Sequence, residues 1–387
     1  MLEKLFKLKE NKTDVRTEVI AGITTFMTMA YIIFVNPDIL SATGMPFGAV
    51  MTATVVAAGI TTILAGLMSN YPYALASGMG LNAFFAFTVA AKAGWQAALG
   101  VVFLSGVVFL ILSLTGAINV IDAAIPQTLK RAVGVGIGLF IALIGAINGG
   151  FIQGSDATLI TRGNLTDKGT LLAIIGLLVI GILMSLKVRG SMLIGILVTT
   201  LIGIPMGVTN ITGSIIGKPD SLAPIFMKMD IKGALGLGFM TIFAFWFVDV
   251  FDTIGTLMGT ASRANMLDEK GQLPKIKEAM TADAIGTCLG AALGTSTVTT
   301  YVESSAGIAE GGRTGLTAVV TGLLFLVSLI FAPLAGMIPS QATAPALIIV
   351  GVLMMLPVRE IDWSDFTEAL PAFMTIIMMP FAYSISD

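Results

Sequence analysis

Histidine is absent from this chain of 387 residues. That removes the commonest proton shuttle and metal ligand, so proton chemistry falls to carboxylates. It also rules out an HExxH metal site, and no Walker A or Rossmann pattern is present. Cysteine occurs once, as Cys288 in an apolar segment, so no disulfide can form within the chain and no thiolate metal site is indicated. Charge is scarce: Asp, Glu, Lys and Arg make up 11%, whereas a soluble domain carries about 25%. No cleavable signal peptide is visible. The first residues carry Lys4, Lys7, Lys9, Lys12 and Arg16, with too few apolar residues for a signal core. They read as an amphipathic lead-in on the cytoplasmic face.

What fills the chain is apolar. Hydrophobic residues make up 56% and the mean hydropathy is +0.94, which identifies an all-α polytopic membrane protein. The 44 glycines suit tight helix packing in lipid. Spans are expected near 18–36, 48–68, 75–91, 95–115, 128–148, 170–186, 190–209, 233–260, 280–294, 297–310, 314–332, 343–357 and 366–385. With the N-terminus cytoplasmic, the inner segments hold 15 of the 21 basic residues, as the positive-inside rule requires. The other six are Lys92, Arg162, Lys168, Lys218, Lys228 and Lys232.

The chain also repeats itself. Gly106-Val107-Val108-Phe109-Leu110 recurs as Gly322-Leu323-Leu324-Phe325-Leu326, and an Ile-Pro pair follows each, Ile125-Pro126 and Ile338-Pro339. With seven spans in the first half, an odd number, the two copies take opposite orientations. This is the inverted-repeat plan of transporters, with a site near the midplane. The expected division is a cytoplasmic segment 1–17, a first repeat 18–210, an external linker 211–232 and a second repeat 233–387. The second repeat has six spans, so a further span is expected beyond Asp387.

Two segments are unusual for spans. Residues 74–85 open with small residues, and residues 294–305 open with a Thr-rich, β-branched run that resembles a short strand before a half-helix. Extended backbone inside a membrane is tolerated only when buried in protein or lining a cavity. Ordinary helices with Gly or Thr on packing faces are the alternative. Glu303 lies in the second segment, and a mid-membrane carboxylate costs at least ~2.5 kcal/mol without a partner or a task. It can accept N–H donors of a heterocycle or act as a structural cap. Asp249 and Asp252, three apart in an apolar and aromatic run, fall on one helix face. Two acids so close cannot both ionise cheaply, so one is expected to hold a proton; a structural hydroxyl network is the other reading. Asn82 offers a donor and an acceptor to the edge of a heterocycle, or glue between helices. Phe84, Phe85, Phe245 and Phe247 are candidates for stacking or plain core. Arg313 reads as a cytoplasmic boundary charge.

Four motifs together resemble the AzgA-like purine permeases, a branch of the nucleobase/ascorbate transporter superfamily. They are Thr24–Tyr31, Gly78–Phe85, Asp249–Thr256 and Thr300–Ile308. The likeness runs from about residue 10 to the last. It implies two inverted repeats of seven spans, a core and a gate domain, and strand–half-helix elements in spans 3 and 10. It implies a substrate site formed by Glu303, Asp249, Asn82, Phe84 and Ser304, with proton coupling at Asp249, Asp252 or Glu303. The implied activity is proton symport of hypoxanthine, guanine or adenine across the plasma (inner) membrane by alternating access of core against gate. No cofactor, metal or nucleic acid is expected. The partners are a purine base and the lipid bilayer, H+ is the coupling ion with Na+ as the alternative, and a homodimer is left open. The rivals are a sulfate- or bicarbonate-type anion carrier of the same general fold, a membrane enzyme, and a channel. Acids in the site oppose an anion, the lack of His and the single Cys weaken an enzyme, and isolated acids do not make a polar pore face.

Overall fold

A computed structural model describes residues 2–115, 126–156, 158–210, 214–264, 266–268 and 272–382. Among these, eight helical segments, some of them broken, are long and apolar enough to cross a membrane: Val15–Ser41, Phe47–Ser69, Trp95–Thr115, Arg131–Asn148, Lys168–Ser185, Phe239–Ala261, Gly315–Ala335 and Ser340–Glu360. Met79–Ala93, Ser191–Met206 and Phe366–Ala382 are shorter apolar helices. Each of the expected spans is helical in whole or in part, and the chain is a multi-pass membrane protein.

The elements that position the site are α1 (Leu2–Phe6), α2 (Val15–Met29), α3 (Ile32–Ser41), α4 (Phe47–Ser69), β1 (Leu75–Ser77), α5 (Met79–Ala93) and α6 (Trp95–Thr115). After α7 (Gln127–Asn148) come β2 (Ile152–Ser155), β3 (Leu159–Arg162), α8 (Lys168–Ser185) and α9 (Ser191–Met206). The second half holds α10 (Ile231–Gly236), α11 (Phe239–Arg263), α12 (Ile276–Leu293), β4 (Val298–Thr300), α13 (Ser304–Ala309) and α14 (Gly315–Ser328). A short α15 (Ala332–Ala335), α16 (Ser340–Met354) and α17 (Phe366–Ala382) complete the description.

Several expectations need correction. The first span is not one helix: it breaks at Ala30-Tyr31 into α2 and α3. The span expected at 233–260 is split at Gly238, whose φ of 87° lies in the left-handed region. The antiparallel hairpin β2–β3 was not foreseen. The lead-in docks on the protein: Phe6 and Leu8 are buried with Leu316, although Leu2 and Leu5 stay exposed. Asp14 then caps α2 by accepting from the N–H groups of Arg16 and Thr17. Those bonds, with the Thr17 hydroxyl, hold its carboxyl below the usual range.

The chain forms two compact units that cut across sequence order, 1–124 with 219–330 and 125–218 with 331–387. Each unit takes helices from both expected repeats. In the first, α14 lies against α2 and α4, while α12 lies against α4 and α6. Glycines permit the α4–α14 approach. A Cβ at Gly315 would sit 1.9 Å from the Gly66 carbonyl oxygen, and one at Gly322 would sit 2.6 Å from that of Gly59. The repeated pentapeptides take matching roles: Gly106 faces Thr287 and Cys288 of α12, Gly322 faces α4, and Phe109 and Phe325 are fully buried. In the second unit α7 packs on α16 and α17, and α8 on α9 and α16. There a Cβ at Gly351 would sit 2.5 Å from the carbonyl oxygen of Gly138.

Candidate functional site

Inside the first unit, β1 and β4 pair antiparallel, Leu75 with Thr300, Ala76 with Thr299 and Ser77 with Val298. Two strands leave two outer edges, and here each is met by a threonine hydroxyl. The Thr62 hydroxyl of α4 accepts from Leu75 N–H and donates to its carbonyl, both at 2.9 Å. The Thr287 hydroxyl of α12 treats Val298 in the same way, at 3.2 and 3.1 Å. This answers the demand that no backbone group be stranded at membrane depth. Asn36 of α3 adds a tie, its amide donating to Thr54 at 2.7 Å and to Thr295 at 2.9 Å. The strands then feed α5 and the two-turn α13.

Opposite them, α11 and α12 carry a reciprocal pattern. Asp249 and Thr253 lie four apart on α11, as do Asp283 and Thr287 on α12. The Thr287 hydroxyl, whose one hydrogen is shared between the Val298 carbonyl and Asp249, lies 3.0 Å from Asp249 Oδ2, and Thr253 donates to Asp283 Oδ2 at 2.9 Å. Thr300 adds a second donor to Asp283 at 2.9 Å. Both aspartates are fully buried, and the Oδ1 atom of each has no hydrogen-bond partner among the described residues. Among the described residues the buried Asn82 amide has neither end paired, and the buried Trp246 indole N–H has no acceptor. Orphaned buried polar atoms of this kind cost about 1–3 kcal/mol each, and they mark a place where water, a proton or a ligand group belongs.

A second group is accessible. Glu303 is half-buried, and its Oε1 accepts the Tyr31 hydroxyl at 2.7 Å. Asp252 is exposed, with Thr299 beside it and Glu303 within electrostatic reach. Along the same face of α11, a Cβ at Gly255 or Gly259 would touch nothing within 4 Å.

The acids expected in the site are therefore gathered in one unit, but not as the spacing suggested. Asp249 is tied to Asp283 through the reciprocal threonines of α11 and α12, rather than to Asp252 on its own helix. The one-turn offset along α11 leaves Asp249 dry and Asp252 open. Phe84 is fully buried with its ring 4.8 Å from that of Phe245, so these two faces are turned to each other. Ser304 is also buried, and its hydroxyl accepts from Ala74 N–H at 3.0 Å as a strap between the strand segments. Arg313 does more than mark a boundary: its guanidinium donates to the Ile308 and Gly312 carbonyls and caps α13. Sequence reasoning missed Asp283 and Tyr31. The Asp-x-x-x-Thr spacing shared by α11 and α12 was a readable signal for Asp283; Tyr31 closes the Thr24–Tyr31 motif, but nothing gave it a role before its partner was seen.

A model of the permease family Xan_ur_permease matches residues 16–387. The adenine permease AdeP of Escherichia coli (strain K12) is 46% identical, over 100% of this chain and 87% of its own length. The guanine/hypoxanthine permease PbuG of Bacillus subtilis (strain 168) is also 46% identical, over 100% of this chain and 90% of its own. Among solved structures, the transmembrane domain of the cyanobacterial bicarbonate transporter BicA superposes with a TM-score of 0.71 at 18% identity, covering 96% of each chain. That likeness describes the fold alone.

Proposed function

The chain belongs to the permease family, and on that footing we propose that it takes up purine nucleobases by proton symport. The reading is supported by relatives named adenine and guanine/hypoxanthine permeases. The observation that carries it is Glu303, a carboxylate at the strand–helix junction with accessible surface and Asp252 nearby. A carboxylate there accepts N–H groups of a heterocycle, and hydrogen bonds to charged groups are worth ~1.5–3 kcal/mol. The same charge repels an anion, which disfavours the bicarbonate-type alternative in spite of the common fold.

Coupling falls to the aspartates. Asp249 and Asp283 in one dry site are best accommodated sharing a proton, and Asp252 offers that proton a route to accessible space. Asn82, with two unpaired amide atoms, completes the set that would hold the base. Alternating access of a core against a gate, residence in the plasma (inner) membrane and a cytoplasmic N-terminus belong to the same proposal.

The test is uptake into proteoliposomes. Labelled hypoxanthine, guanine and adenine should accumulate under an imposed inward proton gradient, while sulfate and bicarbonate should not. Accumulation of either anion, or purine uptake indifferent to the pH step, would overturn the reading.

A further inference from the structure

The break in the first span brings one side chain to the candidate site. Tyr31 stands between α2 and α3, is 1% exposed, and reaches Glu303 across the fold. Apart from its own N–H, Glu303 has no other recorded hydrogen-bond partner among the described residues, and part of its surface is accessible.

The scaffold holds this arrangement at three heights along α2. At the far end, the buried Glu18 carboxylate accepts from the N–H groups of Arg313, Thr314 and Thr317 and from the Thr317 hydroxyl. In the middle, α13 lies flush on α2, since a Cβ at Gly307 would come within 2.1 Å of Thr25 Oγ1 and 2.6 Å of the Ala21 carbonyl oxygen. At the near end Tyr31 meets Glu303. The carboxylate is thus bonded through one oxygen by a hydroxyl that burial keeps in place. A charge-assisted O–H···O bond of this kind is among the stronger ones.

We propose that Tyr31 is a positioning and specificity residue for purine binding: by engaging Glu303 Oε1 it leaves one carboxylate oxygen to receive one N–H of the base. This rests on the purine reading above. A carboxylate with both oxygens free would pair in bidentate fashion with a ligand that presents two adjacent N–H donors. Guanine does so with N1–H and its 2-amino group; on that edge hypoxanthine offers N1–H alone. The Tyr31 hydroxyl therefore sets the balance between the two bases.

The experiment measures Kd for hypoxanthine and guanine on purified protein in nanodiscs, for the unsubstituted chain, Tyr31→Phe, Glu303→Gln and the double variant. Tyr31→Phe is expected to weaken hypoxanthine about ten-fold, guanine much less, and to have no further effect in the Glu303→Gln background. A purely structural role would weaken both bases alike, and that result, or no change in either, overturns the inference while the purine reading stands. Failure of the unsubstituted chain to bind either base sinks the purine reading, and this inference with it. Where Tyr31→Phe yields no folded protein, Tyr31→Met removes the hydroxyl through a flexible side chain and is judged by the same guanine-to-hypoxanthine ratio.

Discussion

Glu18 is fully buried in the first turn of α2 and is held by N–H and O–H donors rather than by an ion pair. Glu18→Ala would strand those donors, each at about 1–3 kcal/mol, so a loss of several kcal/mol is expected. Glu18→Gln, which keeps one acceptor oxygen, should lose less; thermal unfolding in detergent ranks the two. At the site, Glu303→Gln should weaken purine binding by about ten-fold or more. Asp249→Asn and Asp252→Asn should separate the proton carrier from the rest. The true carrier, once neutral, keeps counterflow of labelled hypoxanthine and loses accumulation driven by a pH step. Equal accumulation by all of these variants and the parent would make the acids structural. Asp249, Asp252, Glu303 and Asn82 were legible because charge or amide in an apolar run is costly and needs a reason. Asp283 stands in a similar run, but its pairing with Thr253 depends on how two helices meet. Tyr31 looks like any tyrosine in a span, and only its contact with Glu303 distinguishes it.

Among elements, the strand pair and its two threonines support a sharp comparison. Thr62→Val and Thr287→Val both remove the hydroxyl that serves one strand residue's N–H and carbonyl, at about 1–3 kcal/mol. Only Thr287 also lies within hydrogen-bond distance of Asp249 Oδ2. Melting temperatures should fall alike, whereas the pH dependence of uptake should move in Thr287→Val alone. Helix crossings give a second contrast. Gly315→Ala pushes a methyl group into the Gly66 carbonyl and should sharply reduce folded protein, since forced overpacking costs about 1–3 kcal/mol or more. Gly255→Ala meets open space and should fold normally; size-exclusion profiles after expression decide both. The strands were legible from β-branching and small residues. The break at Ala30-Tyr31 was not, because no glycine or proline stands there. The β2–β3 hairpin was not, because a polar run between spans carries no period that demands strands.

For the whole molecule, the multi-pass membrane class was readable, since lipid imposes an apolar length on every spanning segment. The make-up of the two compact units was not readable from chain order, which suggested two halves where packing interleaves them; only the resemblance implied a core and a gate. Orientation is tested by labelling in a Cys288→Ser background: Asn164→Cys should react with an impermeant thiol reagent applied to intact cells and Gln272→Cys should not. The reverse pattern would invert the topology. The interleaving also has a meaning in time. Ser77 pairs with Val298, about 220 residues further along the chain, and ribosomes add about 5–20 residues per second. For something like ten to forty seconds, then, a nascent β1 lies at the bilayer with its mate unsynthesised. Thr62, made earlier in α4, can shelter one edge during that wait; the other must be shielded by the insertion machinery or by water. Biogenesis of this permease is thus a waiting problem, with its weakest interval between the emergence of the third span and that of the tenth.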